Sequence, residues 1–175
     1  RPSVTLDSLA QLNPVFEDGG SVTAGNSSGI NDGASIVMMM SEATAKRFDL
    51  DILAYVKAYA NVGLDPQYMG LGPVYAIRQL IQKNGLDLSQ IDLFELNEAF
   101  AAQSLAVISE LSLDPEKVNV HGGAIALGHP LAASGTRIST TLLHLMKRRE
   151  VRYGLASLCV GGGMGIAILF EGPGH

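Results

Sequence analysis

Between residues 51 and 175 the apolar positions change period repeatedly, and each change predicts a switch between strand and helix. Ile52 to Ala60 mixes aliphatic and aromatic residues in the manner of a strand that ends near Asn61 and Gly63. Pro73 then stands at a helix start, with Val74, Ile77, Leu80 and Ile81 on one face and Gly85 available as a stop. Ile91 to Leu96 reads as a short strand. The next helix begins after Asn97 and sets Phe100, Val107 and Leu111 along one stripe, with Ala101, Leu105 and Ile108 beside it, until Asp114-Pro115 breaks the pattern. Val118 to Val120 predicts a brief strand, and Ser134-Gly135 opens a helix whose Ile138, Leu142 and Leu145 share a face. Tyr153 to Val160 and Met164 to Glu171 are two strands joined by a glycine turn. The expected fold class is therefore α/β: a layered domain with a mixed five-stranded sheet and helices on its faces.

The first fifty residues have a different character. From Arg1 to Gly20 no periodicity is sustained, and Asn13-Pro14 and Asp18-Gly19-Gly20 are turn signals, so this stretch predicts a connecting segment. Ser27 to Gly33 supplies loop and cap residues ahead of Ala34 to Met40, a small and apolar run compatible with a buried helix passing into a strand. A domain boundary is expected near residue 50, giving units 1–50 and 51–175.

Composition narrows the classes of function. Of 175 residues, 47% are hydrophobic, enough for a substantial core. Net charge is -5 and the basic residues are dispersed except at Lys147-Arg148-Arg149, which reads as a helix end; unselective nucleic-acid binding is not expected. No apolar stretch is long enough to cross a bilayer, and the N-terminus lacks a signal-peptide pattern. One cysteine cannot form an internal disulfide, which suits a reducing compartment.

That cysteine, Cys159, opens the run Cys159-Val160-Gly161-Gly162-Gly163 at the end of a predicted strand, where the backbone can approach a ligand closely. Asn97 begins Asn-Glu-Ala-Phe-Ala after one strand-like run, and His129 lies in Gly-Gly-Ala-Ile-Ala-Leu-Gly-His-Pro-Leu-Ala-Ala-Ser-Gly-Thr-Arg after another. Each has a bland explanation in isolation: a buried thiol, a helix N-cap and a loop histidine. Together, in this order, the three segments resemble the thiolase family over most of the chain from Val22 onwards.

The resemblance implies a fold, a reaction and a set of roles. Thiolases exchange an acyl group between a cysteine and coenzyme A and make or break a carbon–carbon bond beside a thioester. His129 would activate the nucleophilic cysteine and join an oxyanion hole, while Cys159 would be the second thiol, moving the α-carbon proton. Asn97 would hold a water in that oxyanion hole, and the Gly161 N–H would contribute to a second. Ser28 matches a pantetheine contact, and Met69 and Phe100 match residues near the acyl pocket. Glu98 is read as a first-turn residue favourable to the helix dipole, without a proton-transfer role. Ala132 stands where the family usually has glycine, and His121 where asparagine is frequent.

The family's nucleophilic cysteine belongs to an N-terminal half without a counterpart here. Arg1 also replaces an initiator methionine, so the chain reads as a fragment: the C-terminal domain plus the last helix and strand of the other half. By resemblance it is part of an acetyl-CoA acetyltransferase or 3-ketoacyl-CoA thiolase, inactive alone, with acyl-CoA and its own N-terminal half as partners and a homo-oligomer when complete. No metal or cofactor is implied; coenzyme A thioesters are substrates. A cytoplasmic location is expected, with mitochondrial or peroxisomal locations left open. A ketosynthase-like condensing enzyme and a non-catalytic acyl-CoA-binding module are the alternatives.

Overall fold

The computed structural model describes residues 3–175, so Arg1 and Pro2 lie outside the described residues. Its centre is the pair β3 (Tyr153–Val160) and β4 (Met164–Glu171), an antiparallel hairpin whose turn uses positive φ at Gly162 and Gly163. On its outer side β4 pairs antiparallel with β1 (Tyr55–Gly63), while β3 pairs parallel with β2 (Leu93–Leu96). The order across the sheet is β1-β4-β3-β2.

Among the described residues the sheet has four strands rather than five. Val118 makes only an isolated parallel bridge to Phe94, beyond β2. The chain turns away at Asn119, which has φ 46°, and the Asn119 side chain takes over the ladder: Leu96 N–H donates to its Oδ1 at 2.8 Å, and its Nδ2 donates to Leu96 O at 2.9 Å. An asparagine tolerates this left-handed backbone better than most residues. It satisfies the outer edge of β2 where a strand residue would otherwise do so.

Helix α3 (Gly72–Asn84) carries Pro73 in its first turn and stops at left-handed Gly85; Val74, Ile77, Leu80 and Ile81 are buried as their spacing predicts. With α4 (Ala101–Glu110) it covers one face of the sheet, over Phe94, Leu96, Leu155 and Leu169. The start of α3 lies directly on β4 at Gly72 and Gly165, where a Cβ on either would run into the backbone of the other. The long α6 (Ser134–Arg149) covers the opposite face and packs Ile138, Leu142, Leu145 and Met146 on Leu93, Ala156 and Phe170. Its last turn holds Lys147, Arg148 and Arg149, as the charge run predicted.

The N-terminal fifty residues depart most from expectation. Ala34–Met40 forms neither helix nor strand, and Ile36 and Met38 are 90% and 79% exposed. No described strand runs beside this segment, so an apolar run with strand character has no ladder to join and no layer to bury it. Two short helices that hydrophobic period does not mark are set instead by caps: α1 (Leu6–Ala10) by a Thr5–Ser8 capping box, and α2 (Glu42–Arg47) by Ser41. A groove of about 690 Å³ separates residues 36–40 from β1 and α6, lined in part by Tyr55, Thr136 and Phe170. Among the described residues, no helix is long and apolar enough to cross a membrane.

Candidate active site

The site forms where β2 and β3 end. Their parallel register aligns Leu96 with Ser157, and Asn97 N–H donates to Ser157 O at 3.0 Å, so Asn97 and Cys159 leave the same C-terminal edge of the sheet. In open α/β sheets that edge is where ligands bind. Side-chain alternation sets Asn97 on the α6 face with Leu93 and Glu95, and Cys159 on the α3 face with Leu155. The two therefore reach the edge from its two sides.

The helix expected directly after Asn97 begins only at Ala101, and its N-cap position is Phe100. Asn97 is thus not a cap. It is 1% exposed, and its Nδ2 lies 3.4 Å from His129 Nε2. Glu98 likewise is not in the first turn of α4. Its carboxylate accepts from Asn119 Nδ2 at 3.1 Å and from Ile125 N–H at 3.1 Å, tying the β2–α4 loop to the one-turn helix α5 (Ala124–Leu127). Gly123 permits this approach, since a Cβ there would overlap the Glu98 carboxylate.

His129 is held from three directions. Gly128, at φ 100°, turns the chain into it, and a side chain at Gly128 would strike Asn31. The backbone N–H of His129 donates to Gly29 O at 2.9 Å, so the 27–33 loop fixes the His-Pro turn; Gly33 lies against the Pro130 ring. On the far side of the ring Nδ1 meets Ser134 Oγ at 2.5 Å, and Ser134 Oγ donates to Pro130 O at 3.1 Å. Ser134 is fully buried at the start of α6. Burial, reinforced by the nearby Arg137 cation, lowers the His129 pKa below its ordinary value and favours the neutral ring.

Cys159 is half-buried, and burial pushes its thiol up. No hydrogen bond joins the thiol to Asn97 or His129. Gly161 is exposed with open space where a Cβ would be. Ser28 and Phe100 are neighbours: Ser28 donates from both N–H and Oγ to Ala99 O, at 3.0 and 3.2 Å, and Ser27 bridges Phe100. Phe100 is not a core residue but stacks edge-to-face on Phe16 at 5.7 Å. Met69 lies in the 3-10 turn Pro66–Leu71, half-buried. The structure thus joins Asn97 directly to His129, brings Cys159 to the same sheet edge, and pairs Ser28 of the 27–33 loop with the β2–α4 loop that carries Phe100.

Sequence reasoning missed Ser134 as the partner of His129, although its place five residues on, at a helix start, was visible. It also missed Glu95 and Arg137. Glu95 is 1% exposed on β2, and its Oε2 lies 3.9 Å from Arg137 Nη1 on α6. Burial pushes Glu95 to about 7 against the opposing pull of Arg137. A carboxylate inside Leu-Phe-Glu-Leu was the available signal. Among the described residues no cluster of three or more His, Cys, Asp or Glu could hold a metal.

Comparison with known proteins gives the same family in sequence and in fold. The family described as "Thiolase, C-terminal domain" matches residues 50–172, and "Thiolase, N-terminal domain" matches residues 1–43. A "Probable acetyl-CoA acetyltransferase" of Escherichia coli (strain K12) is 54% identical over 98% of this chain, which spans 44% of that protein. The crystal structure of the Bacillus anthracis acetyl-CoA acetyltransferase superposes with a TM-score of 0.95 at 50% identity, again over 98% of this chain and 44% of the other. Human mitochondrial 3-ketoacyl-CoA thiolase in complex with CoA gives 0.90 at 45% identity, with the same coverage. The chain spans less than half the length of these relatives, and it belongs to the thiolase family.

Proposed function

We propose that this chain is the C-terminal part of an acyltransferase that condenses two acetyl-CoA to acetoacetyl-CoA or cleaves 3-ketoacyl-CoA with coenzyme A. The observation that carries the reading is the Asn97–His129 contact at the sheet edge where Cys159 ends. In the reaction Cys159 removes the α-proton of an acetyl thioester, the resulting enolate carbon bonds to the acyl carbon held on a second cysteine, and the acyl–sulfur bond then breaks to release that cysteine as its thiolate. The negative oxygen needs donors, which the His129 ring and a water held by Asn97 supply; the Gly161 N–H serves the second oxyanion. Ser134 suits either protonation state of His129. Its hydroxyl accepts from Nδ1–H while donating to Pro130 O when the ring is charged, and turns from Pro130 O to donate to Nδ1 when Nε2 alone carries the hydrogen.

A raised thiol pKa leaves Cys159 protonated at rest. That fits the thiolytic direction, in which it must give a proton to the departing carbanion. For condensation, a neighbouring donor must stabilise its thiolate when substrate binds. Ser28, Met69 and Phe100 are assigned to the pantetheine arm and acyl pocket, residues 51–175 to the catalytic domain, and 1–50 to the closure of the other half. Exposed Ile36, Met38 and Met39 support that last assignment. An oligomer of complete subunits is part of the same proposal.

The chain has one cysteine, so the nucleophile is assigned to sequence beyond these 175 residues. Coenzyme-A-dependent cleavage of acetoacetyl-CoA is therefore expected at background for the chain alone, and above it when a thiolase N-terminal portion is joined. In the joined protein, Cys159→Ser should remove steady-state turnover by a factor of about 10² or more, while single-turnover acylation persists. Equal loss of both steps would reduce Cys159 to a packing role. Coenzyme A thioester binding without turnover would establish a binding module instead.

A further inference from the structure

We propose that Glu95 and Arg137 are a positioning pair, a buried carboxyl–guanidinium link from β2 to α6 that places Asn97 against His129 and holds the Arg137 cation near the imidazole. The inference rests on the reading above for its catalytic consequence, but its geometry stands independently. Glu95 on β2 and Asn97, the residue that follows the strand, are two apart and share the α6 face; Ser134 and Arg137 are three apart on α6 and share a face there. Each element thus presents one residue of the His129 cluster and one residue of the pair. The strand and the residue after it contribute Glu95 and Asn97, the helix Ser134 and Arg137. A shift of β2 along α6 would disturb both links together.

Packing alone does not account for the pair. Leu93, on the same face, lies in the apolar cluster with Ile138 and Leu142, so an aliphatic residue at 95 would extend that core. A buried carboxylate instead carries a desolvation cost that a 3.9 Å ion pair offsets only in part. Four of the five buried side-chain atoms without a hydrogen-bond partner among the described residues belong here: Glu95 Oε1, Asn97 Oδ1, and Arg137 Nε and Nη1. Such atoms are not scattered through the fold. They lie under the edge where Asn97 meets His129.

The charged and titratable groups around His129 are Arg137 from α6, Glu95 from β2, Glu98 from the loop after β2, and Cys159 at the end of β3. The 27–33 loop meets His129 through the backbone of Gly29 and Ile30. Arg137 disfavours a proton on the ring, while burial keeps Glu95 protonated up to about pH 7, above the range in which the ring titrates.

The test is a titration of the His129 ring by nitrogen-detected NMR in this chain, with the near-ultraviolet circular dichroism of each variant as the check on folding. Arg137→Gln should move the His129 pKa up by roughly half a unit or more, whereas Glu95→Gln, which resembles the protonated carboxyl present where the ring titrates, should leave it near the parent. The double variant should match Arg137→Gln alone. Arg137→Lys keeps the charge and should leave the pKa near the parent, while loosening the Asn97–His129 contact seen in the ring-nitrogen shifts. In the joined protein, Arg137→Lys should lower kcat with little change in KM. Should Glu95→Gln not fold, the two Arg137 variants decide alone. An unchanged His129 titration in folded Arg137→Gln overturns the proposal. A joined parent protein without turnover defeats the functional reading, whereas the pair stands or falls on the titration alone.

Discussion

The two faces of the one sheet are built on different principles. On the α3 face Ile77 and Leu80 of the helix meet Phe94, Leu96, Leu155 and Leu169 in a continuous apolar layer. On the α6 face the layer of Ile138, Leu142 and Met146 ends towards the C-terminal edge of β2 in Glu95, Asn97, Ser134 and Arg137. One strand serves both, since Phe94 and Leu96 face α3, while Leu93 and then Glu95 face α6, where the strand turns polar towards its C-terminal end. Free energy of folding is concentrated on the α3 face. The α6 face gives up part of it to hold ionisable groups next to the site.

The largest expected effect tests that division directly. Ile77→Ala removes a fully buried side chain from the apolar face and should cost about 2–5 kcal/mol in urea denaturation of this chain. The His129 titration should stay at the parent value. Ser134→Ala, on the other face, should cost less but alter that titration, because Nδ1 loses the hydroxyl it meets. A changed titration in Ile77→Ala would erase the distinction between the faces.

The next effect is a pH dependence confined to the polar face. Glu95 has its carboxyl raised from 4.5 to about 7, chiefly by burial, so the folded chain binds a proton more tightly than the unfolded one. That contribution is complete below pH 4.5 and is lost as pH rises through about 7. The interval corresponds to on the order of 3 kcal/mol. His129 works in the opposite sense: its lowered pKa gives stability above its ordinary 6.5 that is lost as pH falls. Denaturation midpoints from about pH 4 to 8 should therefore show a decline through the Glu95 window that Glu95→Gln flattens and Ile77→Ala leaves in place. A decline that survives Glu95→Gln would assign the slope to another group.

These contrasts also explain what was legible beforehand. β3, β4 and α3 were read correctly because local pattern and tertiary environment agree: two-period runs around glycines, and a helix framed by Pro73 and Gly85. Asn97, His129 and Cys159 were singled out by their motifs, but the contact between the first two depends on α6 and the 27–33 loop, which no local spacing encodes. Val118–Val120 was read as a strand because its composition is that of one. Asn119 ends it through a left-handed backbone, a choice that hydrophobic period does not register. Ala34–Met40 failed for the opposite reason, since strand character needs a neighbouring strand that the described residues lack. The Glu95–Arg137 pair was invisible because residues so far apart in sequence do not announce a shared face.

The smallest effect compares how the two covering helices end. Both stop in the same motif: α3 at Gly85 with φ 62°, α6 at Glu150 with φ 51°, each followed by an amide that reaches five residues back, Leu86 N–H to Ile81 O at 3.1 Å and Val151 N–H to Met146 O at 3.3 Å. Leu86 and Val151 then pack on the core of their own face. Only the residue in the left-handed position differs. A Cβ added at Gly85 would meet nothing within 4 Å, so Gly85→Ala adds backbone strain without a clash and should cost about 1 kcal/mol. Glu150 already carries that strain, and also puts a negative charge at the negative end of the helix dipole. Glu150→Gly should therefore stabilise by roughly 0.5–1 kcal/mol, the relief of strain exceeding the added freedom of the unfolded chain. Paired urea denaturation curves measure both changes. Losses of similar size at both positions would mean that Glu150 stabilises the end of α6 through contacts of its own, and that the two faces differ at their caps as well as in their cores.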